Sequence, residues 1–409
     1  MSAVAPTRAT RGGPDATLGV ERLGALEDLD AIRDEWDGFV ERSGSDIYFT
    51  VDWLQAWWTH YGRGRAFEGF VVRDGDRIVG ALPFCVDRIR IGPLRVRLAR
   101  FVGADSTLPV FTPAVAYGYE EPVVRVALDR LLGAARCDAV SLSPLSGESP
   151  VTAAAERVAG AAPFSLARSD STGPHTVFRL PGSFDTYLAG LGQTPRRDHR
   201  RSLRQLDKAY DVSHRTVSGD DAIAYFDRFV ALHTALWKAE GRSGHFGDWP
   251  ASEAFTRDLV SRMAKTARAR FYEIGGDGRV LAVEHCFVLG DRCFWRLPAR
   301  DADPGLRKLG LGRASAAEMF RVLIEDGRTM VEAGPGHYEY KVRLGGEEHP
   351  VRRVVVSGAS ASARRRCALL LRWADLLHLV YYRGWFLKVA PRLGWSGRRL
   401  WRSWIRTRV

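Results

Sequence analysis

The chain has 409 residues, of which 45% are hydrophobic and 26% are charged, as in soluble globular proteins with room for two or three domains. The formal net charge is +12, and residues 364–409 alone contribute +11, from twelve Arg or Lys residues and one Asp. The nearly neutral remainder argues against a nucleic-acid-binding body, while the basic end predicts contact with an anionic surface. The five cysteines form no CxxC motif and the sequence holds no metal-ligand cluster, so we expect a reduced, cytoplasmic protein with buried thiols and no metal.

The first half of the chain predicts an α/β domain over residues 18–150. Residues 1–17 lack the apolar core of a signal peptide and are expected to form a disordered arm. Helices are predicted from apolar spacing, and strands from apolar runs separated by turn residues such as Asp74-Gly75. The predicted elements are a strand and a helix within Leu18–Ser43, a helix over Val51–Tyr61, strands over Phe67–Val72, Arg77–Val86 and Leu94–Val102, a helix over Glu120–Ala135 and a strand over Ala139–Leu145.

The second half predicts another α/β domain over residues 176–360. Residues 151–175 are rich in small residues, Ser, Gly and Pro, and are predicted to be a linker with one short helix. A hairpin over Ala269–Phe287 repeats the strand, Asp-Gly turn and strand of Phe67–Phe84, which indicates two tandem copies of one α/β unit. Four helices are predicted before this hairpin: Ser183–Leu191, Thr194–Tyr210, Asp221–Glu240 and Ser252–Thr266.

A glycine-rich loop follows the strand-like residues 293–297 and precedes a run of good helix formers. Gly310 and Gly312 would let a ligand approach the backbone closely because they have no Cβ. The backbone amides of residues 311–314 would be unpaired at the start of the helix, and such a terminus attracts anions. We therefore predict a diphosphate cradle with these cofactor-binding residues: Arg307, Leu309, Gly310, Leu311, Gly312 and Arg313.

The loop differs from two other phosphate-binding motifs. No Gly-Lys-Ser/Thr follows it, as a P-loop requires, and the third glycine of the dinucleotide-binding GxGxxG motif is absent. An ordinary glycine-rich start of a helix is the alternative interpretation. The first unit has FVGADSTLPVF at the corresponding place, with one glycine and a proline. We expect that unit to have kept the fold and lost the cofactor site.

The R-x-x-G-x-G spacing at residues 307–312 resembles the GNAT superfamily of acyl-CoA N-acyltransferases. With Tyr340-Lys341 and the His-x-x-x-Trp at residues 233–237, residues 20–355 resemble its CelD-type, FemAB-like branch. The resemblance implies two tandem GNAT-like domains of α/β (α+β) class, each a mixed sheet flanked by helices, with a basic helical tail outside them. It implies transfer of an acyl group, with acetyl expected, from acyl-CoA to an amine, such as that of an exopolysaccharide or cell-envelope precursor.

Two alternatives to this function stay open. Fem-type relatives use aminoacyl-tRNA as the donor, although the nearly neutral body disfavours tRNA. A catalytically inactive adaptor recruited to the membrane is the non-enzymatic alternative, although the retained glycine loop favours a working cofactor site. The sequence also departs from the family pattern, since Glu332 stands where Asp is frequent and His337 where an acidic residue is common.

Acyl transfer to an amine needs a base, donors to the oxyanion and an acid for the leaving thiolate. Glu284 stands in an apolar strand, where a raised pKa would suit a base; an ion pair with an arginine across the sheet is the alternative. His285 should point to the opposite face. Glu332 is the second candidate base or a turn acceptor, and the resemblance makes Tyr340 the acid. Lys341 is predicted to contact phosphate or substrate, unless it is a solvated cation.

Two basic segments predict anionic partners. The helix over residues 194–210 aligns cations on one face, for an anionic substrate or for solvent. The tail over residues 361–409 carries tryptophans among arginines, and its charges are too frequent for it to span a bilayer. We expect the tail to dock on the inner face of an anionic membrane, with a helix packed on the body and single-stranded nucleic acid as alternatives. The helix cations are Arg196, Arg197, Arg200, Arg201, Arg204 and Lys208, and the tail tryptophans are Trp373, Trp385, Trp395, Trp401 and Trp404.

Overall fold

A computed structural model describes residues 18–105, 109–242, 244–393 and 400–409. The predicted N-terminal arm and Trp395 of the tail lie outside the described residues. Within them, 13 strands form one sheet. The strands are β1 Gly19–Leu23, β2 Ala66–Asp74, β3 Arg77–Ile91, β4 Leu94–Phe101, β5 Ala114–Val115, β6 Ala139–Ser146, β7 Ser165–Arg179, β8 Val212–Val217, β9 Ala269–Gly276, β10 Arg279–Leu289, β11 Arg292–Arg300, β12 Met330–Pro335 and β13 Glu347–Ser357.

Helices flank the sheet. The α-helices are α1 Arg33–Arg42, α2 Val51–Tyr61, α3 Glu120–Asp129, α4 Pro150–Gly160, α5 Phe184–Gly190, α6 Gln193–Ala209, α7 Asp221–Ala239, α8 His245–Asp248, α9 Ser252–Ala264, α10 Leu311–Glu325, α11 Glu339–Arg343, α12 Ala361–Leu376 and α13 Trp401–Thr407. Shorter 3-10 segments are Leu26–Ile32, Ile47–Phe49, Pro304–Leu309 and Pro391–Leu393, and π-helical segments are Arg130–Ala134 and Leu377–Val389.

The strand order is β1-β2-β3-β4-β6-β13-β7-β12-β11-β10-β9-β8, with β5 beside β3. The pairs β4–β6 and β11–β12 are parallel, and the other neighbours are antiparallel. Strands β1 to β4 and β6 therefore correspond, in order and direction of pairing, to β8 to β12 counted from the other edge. This symmetry confirms the predicted tandem α/β units of a mixed sheet.

The two units exchange their last strands. β7 belongs by chain order to the first unit but pairs with β12 of the second, and β13 of the second unit pairs with β6 of the first. β7 and β13 pair with each other from Glu347 to Ser357. The short helix predicted within residues 151–175 is α4, but residues 165–175 of the predicted linker form the first part of β7 in the middle of the sheet. These residues are as polar as those of a typical loop, but the backbone of the strand is hydrogen-bonded to β13.

The two predicted hairpins occupy equivalent places, as β2–β3 and β9–β10. In the second hairpin Asp277 and Gly278 have φ angles of 51° and 75°, the left-handed backbone that a tight turn of this kind requires. β10 is buried along nearly its whole length, which explains its continuous apolar sequence. Turn chemistry and apolar runs thus determine both hairpins locally.

The first unit fills the space that corresponds to the glycine loop of the second. Phe111 forms a parallel bridge with Leu145, beyond the three pairs that join β4 to β6. A Cβ at Gly103 would lie only 2.1 Å from the ring of Trp53. Both aromatic rings are buried. Buried aromatic side chains of the first unit therefore lie beside the point where the parallel pairing of β4 and β6 ends.

The predicted burial of the thiols is confirmed, since all five cysteines are buried and unpaired. The tail is helical, as predicted, and its first helix packs on the sheet. Cys367 and Leu370 of α12 lie in one apolar cluster with Val96 of β4 and Val355 of β13. The tail is thus part of the folded body on at least one of its faces.

Candidate functional site

The predicted glycine loop joins the 3-10 segment 304–309 to α10. Gly310 has a φ of 66°, a left-handed backbone that favours glycine. A Cβ at Gly310 would lie 2.4 Å from the hydroxyl of Ser202 in α6, and a Cβ at Gly312 would lie 2.3 Å from the guanidinium of Arg300. The loop therefore needs glycine because protein groups approach it, whether or not a ligand does.

The start of α10 carries the predicted cluster of amides, but two of them are engaged. The N–H groups of Arg313 and Ala314 donate to the carbonyl of Gly310 at 3.0 and 3.2 Å. The amides of Leu311 and Gly312 are therefore the ones that a ligand could use. Fewer backbone amides are therefore available to an anion at this end of the helix than the sequence predicts.

The other predicted cofactor-binding side chains have protein neighbours. Leu309 and Leu311 pack in the apolar cluster beneath the loop, so their side chains are not available to a ligand. A nitrogen of Arg313 lies 3.8 Å from a carboxylate oxygen of Asp198. The side chain of Arg307 lies outside the described residues. The loop can therefore contribute mainly through its backbone.

Arg300, the last residue of β11, places its guanidinium against the first turn of α10. Its Nε is buried and has no hydrogen-bond partner among the described residues. A cation at the positive end of a helix dipole is unfavourable unless an anion lies with it. Arg300 and the α10 amides therefore form a candidate anion site. The sequence analysis missed Arg300, although its position just before the glycine loop was a usable signal.

β11 and β12 separate at the end of the sheet where α10 begins. They pair over three residues, and the last pair joins Phe294 to Glu332. The register between β10 and β11 shifts at His285 and Cys286, so that Arg296 is an additional residue in β11. Such bulges change the direction in which side chains point and are frequent beside functional sites. The β11 amides beyond Phe294 are candidate donors to an oxyanion, since β12 no longer pairs with them.

Glu284 lies in β10 with its carboxylate toward α10. It accepts hydrogen bonds from Ser315 at 2.5 Å and from the indole N–H of Trp295 at 2.8 Å. Complete burial raises the pKa of Glu284 to about 7, although both hydrogen bonds and the charge of Arg300 act in the opposite direction. A carboxylate with this pKa suits a base at neutral pH.

His285 faces the opposite side of the sheet, as the strand alternation predicts. Its ring stacks on Phe271 with 4.5 Å between centroids and contacts Phe229 of α7. Burial lowers the pKa of His285 to about 3, so the ring is neutral at pH 7. The histidine therefore belongs to the aromatic packing under α7 and not to the group around Glu284.

Tyr340 and Lys341 lie on α11, after the second glycine turn. The Tyr340 ring packs edge-on against Trp295 at 6.3 Å. Partial burial and the charge of Glu284 raise the pKa of Tyr340, so its hydroxyl stays protonated and can donate a proton. Lys341 is buried, its ammonium donates to the carbonyl of Ala333 at 2.5 Å, and burial lowers its pKa to about 8. Lys341 is therefore not a solvated cation.

Glu332 begins a buried chain of hydrogen bonds that crosses both units. Its carboxylate lies 3.1 Å from Nδ1 of His175 in β7, and Nε2 of that ring lies 3.1 Å from the hydroxyl of Ser146 in β6. Glu332 also accepts from the amide of Gly334 at 3.0 Å, so it is a turn acceptor as well. Burial opposes the charged imidazole, but the hydrogen bond and charge of Glu332 raise the pKa of His175. The sequence analysis did not identify His175 or Ser146.

The predicted residues fall into two groups. Glu284 and Tyr340 share Trp295 as a neighbour and lie near the start of α10 with Arg300. Glu332 lies in β12, and the ammonium of Lys341 from α11 donates to the carbonyl of Ala333 in the same strand, where the negative charge of Glu332 acts on it. Both groups border the opening between β11 and β12.

The fold of the chain has counterparts among solved structures. A search of curated protein sequences finds no match. The solved structure of FemX superposes with a TM-score of 0.61 at 10% identity, over 82% of this chain and 96% of FemX. The C-terminal domain (DUF2156) of a putative lysylphosphatidylglycerol synthetase from Agrobacterium fabrum gives 0.48 at 11%, over 85% and 97%. A tandem GNAT protein from the clavulanic acid biosynthesis pathway gives 0.42 at 15%, over 84% and 99%.

The family of acetyltransferase (GNAT) domains matches residues 194–342. This segment begins in α6 and includes the glycine loop, Glu284, Glu332 and Tyr340. The resemblance to the GNAT superfamily that was predicted from the loop and from Tyr340-Lys341 is therefore confirmed, since the matched segment of the second unit is similar to the acetyltransferase (GNAT) domain.

Proposed function

We propose that the chain is an acyl-CoA-dependent N-acyltransferase whose second unit performs the reaction. The observation that carries this proposal is the meeting of three features beside the β11–β12 opening: the α10 amides, the guanidinium of Arg300 and the carboxylate of Glu284. An anion site, a base with a pKa near 7 and unpaired strand amides are the groups that acyl transfer from a thioester requires.

The residues present fit a coenzyme A thioester. The amides of Leu311 and Gly312, with Arg300, would hold the diphosphate. The opening between β11 and β12 would receive the acyl group of the thioester. The β11 amides beyond Phe294 would then point toward the carbonyl oxygen of that group. In the reaction the amine nitrogen attacks the thioester carbon, the C–S bond breaks and the thiolate leaves.

Two protons must move in this step. The amine gives up a proton to a carboxylate, for which Glu284 is the first candidate and Glu332 the second. Because Glu284 is fully buried, its proton would arrive through a relay, and the hydroxyl of Ser315 is hydrogen-bonded to it. Tyr340, whose hydroxyl is protonated at neutral pH, would supply a proton to the leaving thiolate.

A second candidate donor is aminoacyl-tRNA. The arginine-lined surface of α6 favours this donor. One face of this helix borders a groove of about 600 Å³ whose lining includes Arg196, Arg200 and Arg204. Such a surface suits a polyanion, whether the outer phosphates of coenzyme A or a nucleic acid end. The acceptor in either case is an amine, with an exopolysaccharide or cell-envelope precursor as the expected class.

Calorimetric titration with coenzyme A and acetyl-CoA tests the proposal. We expect Arg300→Gln to bind about 10- to 100-fold more weakly than wild type, because a charge-assisted hydrogen bond contributes about 1.5–3 kcal/mol. Gly310→Asp is less informative, since φ is 66° and a Cβ would collide with Ser202. Arg228→Gln, on an exposed position of α7, is the matched control and should bind as wild type does.

Equal coenzyme A affinity in wild type and Arg300→Gln would refute the placement of the diphosphate. Binding of aminoacyl-tRNA, without any binding of coenzyme A, would favour the second donor. In that case we expect the affinity to fall steeply with salt, and α6 variants such as Arg200→Gln to reduce that salt dependence.

A further inference from the structure

The inner face of the tail is fixed to the body. Beyond α12, Leu377 and Tyr381 pack with Trp401, Trp404 and Ile405 in one buried cluster. Trp404 is 2% exposed and Trp401 is 9% exposed. These two tryptophans belong to the set on which the expected membrane docking of the tail was based, and their burial makes them unavailable to a bilayer.

The end of the chain is tied to both units by hydrogen bonds. Arg100 of β4, itself buried, donates to the carbonyl of Arg408 at 2.7 Å, and Arg353 of β13 donates to the carbonyl of Val409 at 2.9 Å. Asp375 pairs with Arg168 at 2.6 Å. The inner side of the tail thus has the packing and pairing of an integral part of the fold.

The outer face of the same tail is apolar. Seven of the fourteen large apolar side chains that are exposed among the described residues lie between Leu376 and Leu400. Leu379 and Val380 are 62% and 58% exposed, and Leu376 and Leu387 in the same segment are 49% and 52% exposed. A concentration of this kind is unusual on the surface of a soluble monomer and marks an interaction site.

Cations border this apolar face. The ion pairs that the tail makes with the body involve Asp375, Arg366 and Arg406. The exposed cations of the outer face that have no acidic partner among the described residues include Arg372, Arg383, Lys388 and Arg392. The face therefore combines aliphatic side chains with positive charge, which is the chemistry of the anionic membrane interface.

We propose that the outer face of the segment from Arg372 to Leu393 is a docking surface for the anionic headgroup layer of a membrane. Leu376, Leu379, Val380 and Leu387 would enter the boundary between headgroups and acyl chains, and the neighbouring cations would meet lipid phosphates. Among the described residues no helix combines the length and the low charge needed to cross a bilayer. The proposal is therefore for attachment parallel to the surface.

Vesicle sedimentation with the full chain tests this surface. Wild type should pellet with vesicles of phosphatidylglycerol and phosphatidylcholine, and raising the salt should weaken the binding without abolishing it, because only the charge contribution is screened. Leu379→Ser/Val380→Ser should lower the partition coefficient at least tenfold at high salt. Arg383→Gln/Lys388→Gln should instead remove the preference for phosphatidylglycerol. The matched control is Tyr117→Ser/Ile223→Ser, which removes exposed apolar groups elsewhere and should pellet as wild type does.

Three outcomes would overturn the proposal. The first is a failure of wild type to pellet with phosphatidylglycerol vesicles at low salt, and the second is pelleting of Leu379→Ser/Val380→Ser to the same extent as wild type. A chain that is dimeric in solution, and becomes monomeric on the same substitution, would assign the face to a second copy. Circular dichroism of each variant separates loss of binding from loss of folding.

Discussion

Glu284 is the residue whose chemistry the fold changes most. Its carboxylate is fully buried between β10 and α10, and its pKa of about 7 follows from that burial despite two hydrogen bonds. The position that makes it a candidate base therefore has a cost in stability. Between pH 4.5 and about 7 the folded protein holds a proton that the unfolded chain has released.

The free energy of unfolding should therefore fall as pH rises from about 4.5 to about 7. Glu284 alone would account for about 3 kcal/mol of this fall, at 1.36 kcal/mol for each pKa unit. Urea unfolding at pH 5 and pH 8 measures it, and Glu284→Gln should show a smaller change between the two than wild type. Glu253→Gln, at an exposed site of α9, should keep the wild-type dependence. Identical pH dependence in wild type and Glu284→Gln would mean that the carboxylate is ionised in the folded state.

Glu332 depends on partners that lie far away in the sequence. His175 lies in β7 and Ser146 in β6, and the chain of hydrogen bonds joins them only because β6, β13, β7 and β12 are neighbours in the sheet. Asp46, buried beside them, pairs with Arg292 of the second unit at 2.9 Å. The candidate site is thus supported by both units, although its glycine loop belongs to the second alone.

At the level of elements, the exchange of β7 and β13 governs the architecture. β13 lies between β6 and β7, so each unit completes the sheet of the other. A unit taken alone would expose strand edges with unpaired backbone groups along its longest strands. The two units therefore form one cooperative sheet even though the sequence repeats.

Separate expression of residues 1–180 and 181–409 tests this cooperation. Neither fragment should fold alone, because β6 and β7 lose β13 and β12 loses β7. Mixing the two denatured fragments and refolding them together should recover a soluble complex with the far-UV spectrum of the full chain. A monomeric fragment 1–180 with cooperative unfolding would show that the exchanged strands are dispensable. Size-exclusion chromatography and thermal melting provide the measurement.

At the scale of the whole molecule, the tail closes a buried group of charges in the first unit. Arg65, Asp87, Arg100 and Asp105 are almost fully buried and pair with one another. The backbone of α13 and the chain end accept hydrogen bonds from Arg100. The tail therefore supplies carbonyl groups that accept hydrogen bonds from a buried arginine. Without the tail, this group of charges would be exposed on one side.

Trp404→Ala should destabilise the whole protein by about 3 kcal/mol or more, because a large buried ring is removed from the cluster under the tail. Leu400→Ser, at a side chain that is 48% exposed in the same segment, should change stability by less than about 1 kcal/mol. Urea unfolding monitored by circular dichroism compares the two. Equal, small effects would indicate that the tail is peripheral to the fold.

The sequence by itself determined what depends on neighbouring residues. Asp-Gly turns and apolar runs predicted both hairpins, apolar spacing predicted α2, and a run of good helix formers predicted α10. The glycines with Tyr340-Lys341 predicted the resemblance to the superfamily. These features need only local backbone preferences and side-chain periodicity. The same alternation placed Glu284 and His285 on opposite faces of the sheet.

Only the tertiary structure decided the features that depend on distant pairing. β7 resembled a linker because its residues are polar, and its partner β13 lies far along the chain. His175 and Glu332 are 157 positions apart, and no local pattern links them. Ser202 meets the glycine loop only because α6 lies across α10. The sequence shows that the tail is rich in tryptophan and arginine. Packing in the tertiary structure determines that Trp401 and Trp404 face the body while Leu379 and Val380 face outward.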